Sequence, residues 1–175
     1  ASLVLSDTDV GDNELAEISQ LTELGGLYLD QTHVTDKGLQ KIDNMKELVA
    51  ISLRRTSITT WPPLANMSLL VELDLSFTNV RDIDAQGLVS LESLNLSGTQ
   101  ITDQSLIELD TLPSLQTLNI SGSTGMPMKI SDEGIAHLTK EKVPKLNKIF
   151  LYATNVSEDG VAQLKKVFPG LVVVR

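Results

Sequence analysis

Hydrophobic residues recur along the chain as pairs separated by one residue, and the pairs return at nearly constant intervals. Such a pair is typical of a short strand with one buried face, because alternate side chains of a strand point to opposite sides. A further coil begins at Leu171, with Val174 in the strand position. The pattern predicts strands at Leu3/Leu5, Leu27/Leu29, Ile51/Leu53, Leu73/Leu75, Leu94/Leu96, Leu118/Ile120 and Ile149/Leu151.

Each predicted strand lies inside a longer repeated unit. In six units a leucine precedes the pair by three residues, as Leu24 precedes Leu27. A threonine follows the pair by three residues, and another apolar residue comes two positions later. These threonines are Thr8, Thr32, Thr56, Thr78, Thr99 and Thr154, and Ser123 replaces the threonine in the sixth unit. Units of about 20–30 residues that repeat in register predict a solenoid.

The unit LxxLxLxxTxVTDxGL resembles the leucine-rich repeat family, whose unit reads LxxLxLxxN or LxxLxLxxC followed by a variable half. The resemblance covers essentially the whole chain. It implies an α/β fold, a right-handed solenoid whose concave side is a parallel sheet of about seven or eight short strands. The family's Asn or Cys bonds main-chain groups of the neighbouring coil, and we expect the Thr to serve the same purpose with fewer bonds. Threonine units are similar to those of many bacterial members, which favours a bacterial source.

The variable halves predict what lies on the convex side. A hydroxyl residue followed by a carboxylate begins four of them, at Thr35, Thr102, Ser131 and Ser157. The hydroxyl can cap the first N–H groups of a helix, and the acid meets the positive end of the helix dipole. We therefore expect helices in these four units and in the segment 12–24.

Two central units differ from this pattern. The segment 60–64 contains two prolines where a helix needs backbone donors, and the unit 80–91 is the shortest. Both resemble the compact units of internalin-type repeats, which implies an extended or 3₁₀ convex side. We expect Trp61 to pack in the convex bend beside Pro62 and Pro63.

Two insertions interrupt the register. The segment 121–129 is rich in turn-forming residues and leaves its strand at the edge where the threonines lie, and the segment 140–144 precedes the last full strand. We favour simple lengthening of two loops. The alternative is that the first loop overhangs the sheet and contacts a ligand.

Composition limits the classes of function. The chain has 175 residues, no cysteine and a net charge of −9. A repeat array has no separate cores, so we predict one domain over residues 1–175. The acidic balance argues against nucleic acid and anionic membranes as partners, and no apolar run approaches the roughly 20 residues of a membrane span. The compartment stays open, with the exported or cell-surface location slightly favoured over the cytoplasm.

Neither predicted end strand has an evident polar cap, although the end coils of a solenoid otherwise expose their core. Two interpretations stay open. The chain is part of a longer protein, or its ends associate with a partner, including a second copy of the chain.

No constellation of catalytic or metal-binding residues is visible in the sequence. His33 lies at the sheet edge and His137 in a predicted helix several coils away, so they cannot share a site. Phosphate-binding glycine loops, HExxH helices and calcium loops are absent. We predict that the protein is not an enzyme and has no catalytic residue, cofactor or metal.

Strand alternation directs the paired apolar residues into the core and the residues between them onto the concave face. Stacking the units gives three rows on that face. The first row is Val4, Tyr28, Ser52, Asp74, Asn95, Asn119 and Phe150. The second row is Ser6, Asp30, Arg54, Ser76, Ser97, Ser121 and Tyr152. The third row, at the strand exit, is Asp7, Gln31, Arg55, Phe77, Gly98, Gly122 and Ala153, with Glu72 and Lys148 just upstream of their strands.

Four of the chain's aromatic residues fall on these rows, and aromatic residues and arginine are enriched in interface hot spots. By analogy with the family, which usually binds on this face, we predict a partner-binding surface in two parts. The N-terminal cluster is Tyr28, Asp30, Arg54, Arg55, Asp74 and Phe77. The C-terminal cluster is Lys148, Phe150 and Tyr152, and a floor of Ser, Asn and Gly separates the two.

The favoured function is thus a non-catalytic module that binds a protein or peptide. The alternatives are a carbohydrate-binding, adhesin-like surface protein and the recognition part of a larger effector or enzyme. Within the surface, Asp30 and Arg54 are alternatively a structural ion pair. Phe150 and Tyr152 are alternatively the contact of a downstream cap.

Overall fold

A computed structural model of the chain describes residues 1–175. Its framework is one sheet of eight parallel strands, in which strands consecutive in the sequence are neighbours in space. The strands are β1 (Ser2–Val4), β2 (Gly26–Tyr28), β3 (Ala50–Ser52), β4 (Glu72–Asp74), β5 (Ser93–Asn95), β6 (Thr117–Asn119), β7 (Lys148–Phe150) and β8 (Val172–Val174). The predicted solenoid with seven or eight short parallel strands is confirmed.

The strands begin one residue earlier than the apolar pairs suggested. The first seven are each centred on the first apolar residue of the pair, as β2 is on Leu27. The prediction of Val174 for the last strand is wrong by one residue, because β8 is centred on Val173 and pairs it with Ile149. Glu72 and Lys148, predicted upstream of their strands, are therefore the first residues of β4 and β7. The second apolar residue still bonds to the next coil, since the Leu29 N–H donates to the Ser52 carbonyl at 2.9 Å.

Each of six coils leaves the sheet through a residue in the left-handed backbone conformation. Gln31 and Phe77 have φ angles of 54° and 57°, and Asp7, Arg55 and Ala153 lie in the same region. Glycine occupies the equivalent place in one coil, at position 98, with a φ of 66°. A residue other than glycine in this region costs about 1–3 kcal/mol, so surrounding contacts must stabilise the turn.

The recurring threonine supplies one of these contacts. In six coils its hydroxyl donates to the carbonyl of the second apolar residue at 2.6–2.8 Å, as Thr32 does to Leu29. The prediction that the threonine bonds to the neighbouring coil is therefore wrong. A hydroxyl has a single proton to donate, and here it donates that proton to a carbonyl of its own coil.

The apolar side chains form one continuous core of 45 buried residues. In the second coil Leu27, Leu29, Val34 and Leu48 are completely buried. One coil is too thin to shield these side chains from water, and stacking against its neighbours removes them from solvent. In the first and last coils the equivalent residues, such as Leu3, are only partly buried.

Five short helices lie in the four units with a capping pattern and in the segment 12–24, as predicted, and the two central units contain none. Trp61 packs against the core next to the buried Pro62, as expected. The first helix is shorter than predicted. The helices are α1 (Asp12–Ile18), α2 (Asp36–Leu39), α3 (Asp103–Ile107), α4 (Asp132–Ala136) and α5 (Glu158–Val167).

The first acidic residue of four helices binds the following coil. Asp12 accepts the Thr35 N–H at 2.8 Å on one oxygen and the Thr35 hydroxyl at 2.7 Å on the other. The carboxylate therefore joins two coils. The same pair of bonds, here named the aspartate clamp, joins Asp36 to Thr59, Asp103 to Ser131 and Asp132 to Ser157.

The glycine of the repeat provides the space that the clamp requires. A Cβ atom at Gly134 would lie 2.9 Å from the Cα of Asp103, and one at Gly38 would lie 3.0 Å from the Cα of Asp12. At Gly160 the Cβ would lie 2.5 Å from a side-chain carbon of the preceding coil's aspartate. Neighbouring helices can therefore stack only because this position lacks a side chain.

The coil of α3 follows a unit without a helix, and its glycine position holds Ser105. The Ser105 hydroxyl accepts the Thr102 N–H at 3.0 Å and donates to the Arg81 carbonyl at 2.7 Å. These bonds replace the aspartate clamp that the preceding coil does not supply. The residue at this position thus depends on the coil before it.

Gly134→Ala is expected to destabilise the protein by about 1–3 kcal/mol, because the added methyl group overlaps the Asp103 backbone. Helix propensity alone predicts the opposite, a gain of about 1 kcal/mol. Urea unfolding followed by circular dichroism measures the sign. The control Ala136→Gly, exposed in the same helix, should cost about 1 kcal/mol. A more stable Gly134→Ala variant would contradict the packing argument.

The aspartate clamps also make stability depend on pH. Burial by itself raises the pKa of Asp12 and of Asp36, but hydrogen bonds from the next coil outweigh it and bring both pKa values below the ordinary 3.8. At Asp132 those hydrogen bonds are the largest influence and lower the pKa as well. A carboxylate with a lowered folded pKa stabilises the protein above its unfolded pKa, and this contribution is lost as the pH falls through the folded value.

The triple variant Asp12→Asn, Asp36→Asn and Asp132→Asn should be less stable than the parent at neutral pH. Its urea midpoint should change less between neutral pH and pH values below about 4, because asparagine does not titrate. The control triple replaces Asp43, Asp82 and Asp110, which are exposed and make no hydrogen bond, and should keep the parent's pH dependence. Identical pH dependence in both triples would show that the clamps do not act this way.

Candidate binding surface

The register of the sheet stacks equivalent residues of successive coils in rows. Tyr28, Ser52, Asp74 and Asn95 are consecutive neighbours in the first concave row. The row continues through Asn119, Phe150 and Val174. The first predicted row is therefore the one that the sheet forms.

The polar residues in the middle of this row bind the backbone of their own coil. Asp74 accepts the Ser76 N–H at 2.8 Å, and Asn95 accepts the Ser97 N–H at 3.1 Å. Asn119 does the same in the next coil. The Asp74 carboxylate also accepts the Asn95 side-chain amide at 2.9 Å. These side chains satisfy backbone donors at the strand exit, which leaves fewer of their atoms for a ligand.

Asp30 also accepts hydrogen bonds, but from the coils on either side of its own. Its carboxylate accepts the Ser52 hydroxyl, the Arg54 main-chain N–H at 3.1 Å and the Ser6 hydroxyl at 3.4 Å. The alternative of an ion pair between the Asp30 and Arg54 side chains is wrong, because it is the backbone of Arg54 that reaches this carboxylate. Asp30 thus ties three coils together.

The structure brings Arg54, Arg55 and Phe77 into direct contact at the edge of the concave face. The two guanidinium carbons lie 5.5 Å and 5.3 Å from the centroid of the Phe77 ring, within the range of cation–π attraction. On its other side the ring packs over Gly98. Phe77 is nevertheless 38% exposed.

Beside this contact the first row encloses a shallow depression of about 330 Å³. Its polar lining comes from four coils and includes predicted site residues as well as four that were not predicted, namely Ser52, Glu72, Ser93 and Asn95. The only sequence signal for these four is their position in or directly before the predicted rows. The polar lining is Tyr28, Asp30, Ser52, Glu72, Asp74, Ser93 and Asn95.

The C-terminal cluster is separate from this depression, with the coil of β6 between them. The Lys148 ammonium lies 4.7 Å from the centroid of the Phe150 ring. Tyr152 is 51% exposed, and its hydroxyl lies 3.3 Å from the Thr124 hydroxyl of the inserted loop. The first insertion therefore reaches a side chain of the concave face through Thr124, a residue that was not among the predicted site residues.

The chemistry-bearing residues outside the rows are dispersed. His33 lies 3.6 Å from the Asp9 carboxylate on an exposed edge, and His137 lies at the end of α4. No three histidine or acidic side chains converge in a way that could hold a metal ion. No helix has the length and apolar character needed to cross a membrane.

Comparison with known proteins agrees with this architecture. A family model described as "Leucine Rich repeats (2 copies)" matches residues 89–125. Among curated proteins the chain is similar to Tubulin-specific chaperone E of Danio rerio, with 31% identity over 103 residues, or 58% of this chain and 20% of that protein.

Two solved structures share the fold. An internalin (inlF) from Listeria monocytogenes str. 4b F2365 superposes with a TM-score of 0.77 and 22% identity, over 99% of this chain and 46% of that one. A leucine-rich repeat protein of Leptospira interrogans superposes with a TM-score of 0.54 and 20% identity, over 91% and 33% of the two chains. The chain thus spans less than half the length of each of these proteins.

The solenoid, its repeat and these matches together define the class of protein: a parallel-sheet repeat solenoid with an open concave face. The chain has the leucine-rich repeat fold, with an internalin-like architecture, as the sequence pattern predicted, and its residues 89–125 match the family model. Proteins of this class are in general interaction modules, whose curved sheet offers an extended surface to a partner.

Gly98→Ala tests the position of the Phe77 ring. The added Cβ would lie 2.7 Å from a ring carbon, so we expect a cost of about 2–3 kcal/mol, of which about 1 comes from the left-handed backbone. In the Phe77→Ala background only the backbone cost should remain, since Ala153 already adopts this conformation in another coil. Urea unfolding of the four proteins gives the coupling. Additive costs would show that the ring lies elsewhere.

Proposed function

We propose that the concave face binds a protein or peptide and that the chain is a recognition module without catalytic activity of its own. The observation that supports this most directly is the difference between the polar and the aromatic side chains of the face. The side chains of Asp30, Asp74 and Asn95 accept hydrogen bonds from other groups of the chain, whereas those of Tyr28 and Phe77 make none. The surface left available is aromatic and basic, and it borders a depression.

Aromatic side chains suit this role because they bring a large apolar area with little conformational entropy to lose. The Tyr28 ring lies half-buried in the wall of the depression, and its hydroxyl makes no hydrogen bond within the chain. A ligand can therefore pack on the ring and bond to the hydroxyl at once. In this proposal Tyr28, Arg54, Arg55 and Phe77 contact the ligand, and the acidic residues shape the floor.

The C-terminal cluster is proposed as a second contact for a longer ligand. Three strand spacings of roughly 4.8 Å separate β4 from β7, a span of about 15 Å. An extended peptide covers that span with about five residues. Lys148, Phe150 and Tyr152 would then meet the far end of the same ligand.

The class of partner follows from charge and from the relatives. A net charge of −9 disfavours a polyanion such as nucleic acid. The zebrafish relative is named for a protein, tubulin, which is in keeping with a protein ligand although this chain covers only 20% of it. No cofactor is needed for such a role.

The test is selection from a random library of displayed dodecapeptides on the immobilised chain. Affinities of the selected peptides are then measured by fluorescence anisotropy. The variant Tyr28→Ala with Phe77→Ala is expected to weaken binding at least tenfold, since hot-spot residues each contribute about 1–2 kcal/mol or more. The control, Leu69→Ala with Val89→Ala, removes two exposed apolar residues outside the sheet and should bind normally.

The variant Phe150→Ala with Tyr152→Ala assigns the second contact. It should weaken long selected peptides and spare short ones. Peptides that bind the concave-face variants and the parent equally well would refute the proposal. Selective binding of an oligosaccharide at Tyr28 or Tyr152 would favour the carbohydrate alternative.

A further inference from the structure

Arg54 and Arg55 are held in place without being neutralised. Both guanidinium groups lie over the Phe77 ring, and neither has a carboxylate within ion-pair distance. The ion pair of the structure lies elsewhere, between Arg175 and Glu158. Two like charges against one ring repel each other, and no carboxylate of the chain pairs with either guanidinium group.

The carboxylates near this pair accept hydrogen bonds from groups other than the two guanidinium groups. The Asp30 and Asp74 carboxylates accept bonds from serine hydroxyls, an amide and backbone N–H groups. The Asp7 carboxylate accepts a hydrogen bond from the side-chain amide of Gln31. The Gln31 side-chain oxygen in turn accepts an Arg55 guanidinium N–H at 3.3 Å, so Asp7 and Arg55 are linked only through Gln31. The Arg54 guanidinium makes no hydrogen bond within the chain. In a protein with an excess of acid, neither arginine is thus paired with a carboxylate, although carboxylates lie close by.

We propose, on the basis of the function proposed above, that Arg54 and Arg55 bind the carboxylate of an aspartate, a glutamate or a chain terminus of a peptide ligand. Contact with the Phe77 ring holds the two guanidinium groups at one place, and their forked N–H groups are unused apart from the bond that Arg55 donates to Gln31. A carboxylate presents two oxygens that match this fork geometry, and charge-assisted bonds of this type are about twice as strong as neutral ones. The anion also relieves the repulsion between the two arginines.

Charge around the pair selects for a single carboxylate within an otherwise mixed or neutral ligand. Glu72, Asp74 and Asp30 line the adjoining depression, and Asp7 lies two coils away along the same edge. A polyanion would meet these carboxylates on both sides of the basic pair and be repelled. A peptide with one acid at the pair can instead place a neutral or basic neighbour against Tyr28.

The probes are the dye-labelled peptides selected on the parent chain, each compared with versions carrying Asp→Asn or Glu→Gln. Loss of the acid should weaken the binding of a peptide to the parent about tenfold. The same change should weaken binding to the variant Arg54→Gln with Arg55→Gln less than twofold, because the groups that contact the acid are absent there. Amidation of the peptide's C-terminus shows whether a side chain or the terminus supplies the carboxylate. The control Arg81→Gln removes an equally exposed arginine outside the sheet and should behave as the parent.

The outcomes separate this inference from the proposed function. Peptides that require Tyr28 and Phe77 but bind the arginine variant normally would overturn the carboxylate assignment and leave the binding face intact. Peptides that ignore all of these substitutions would overturn both. A dye-labelled single-stranded oligonucleotide that binds more tightly than the peptides, and loses affinity in the arginine variant, would overturn the choice of a peptide carboxylate.

Discussion

The hydrogen bonds between neighbouring coils are the interaction on which the rest of this structure depends. The strands pair in parallel with equivalent residues side by side, so each residue meets its own counterpart in the next coil. Any side chain at a given position must therefore be compatible with the side chain that precedes it in the row. Leucine satisfies this requirement in the core, because identical apolar side chains pack together without leaving polar groups buried.

The convex side obeys the same requirement through complementary residues. The aspartate clamp needs a hydroxyl and an N–H in the next coil, and it needs glycine where the two helices approach. Where one coil lacks the helix, Ser105 replaces glycine in the next and bonds to Thr102 and Arg81. The repeated letters T, D and G are thus parts of one contact that is divided between consecutive coils.

On the concave face most polar side chains of the first row, and Asp30 of the second, accept hydrogen bonds from backbone N–H groups. The strand exit leaves N–H groups that no strand partner satisfies, and Asp30, Asp74, Asn95 and Asn119 accept them. This demand turns several acidic and amide groups inward to the fold. The side chains that remain, above all the arginine pair on Phe77, differ from the acidic average of the chain, and they are the groups proposed here to contact a partner.

The sequence by itself determined the number of coils, the sheet, the positions of the helices and the rows of the concave face, because periodicity decides which side of each segment is buried. It located Tyr28, Phe77 and both arginines on one surface for the same reason. Only the tertiary structure decided that each strand is centred on Leu27 or its equivalent, that the Thr32 hydroxyl bonds within its own coil, and that Asp30 accepts a backbone N–H in place of a guanidinium. These choices depend on the directions of side chains that meet across coils, and spacing along the chain carries no information about direction.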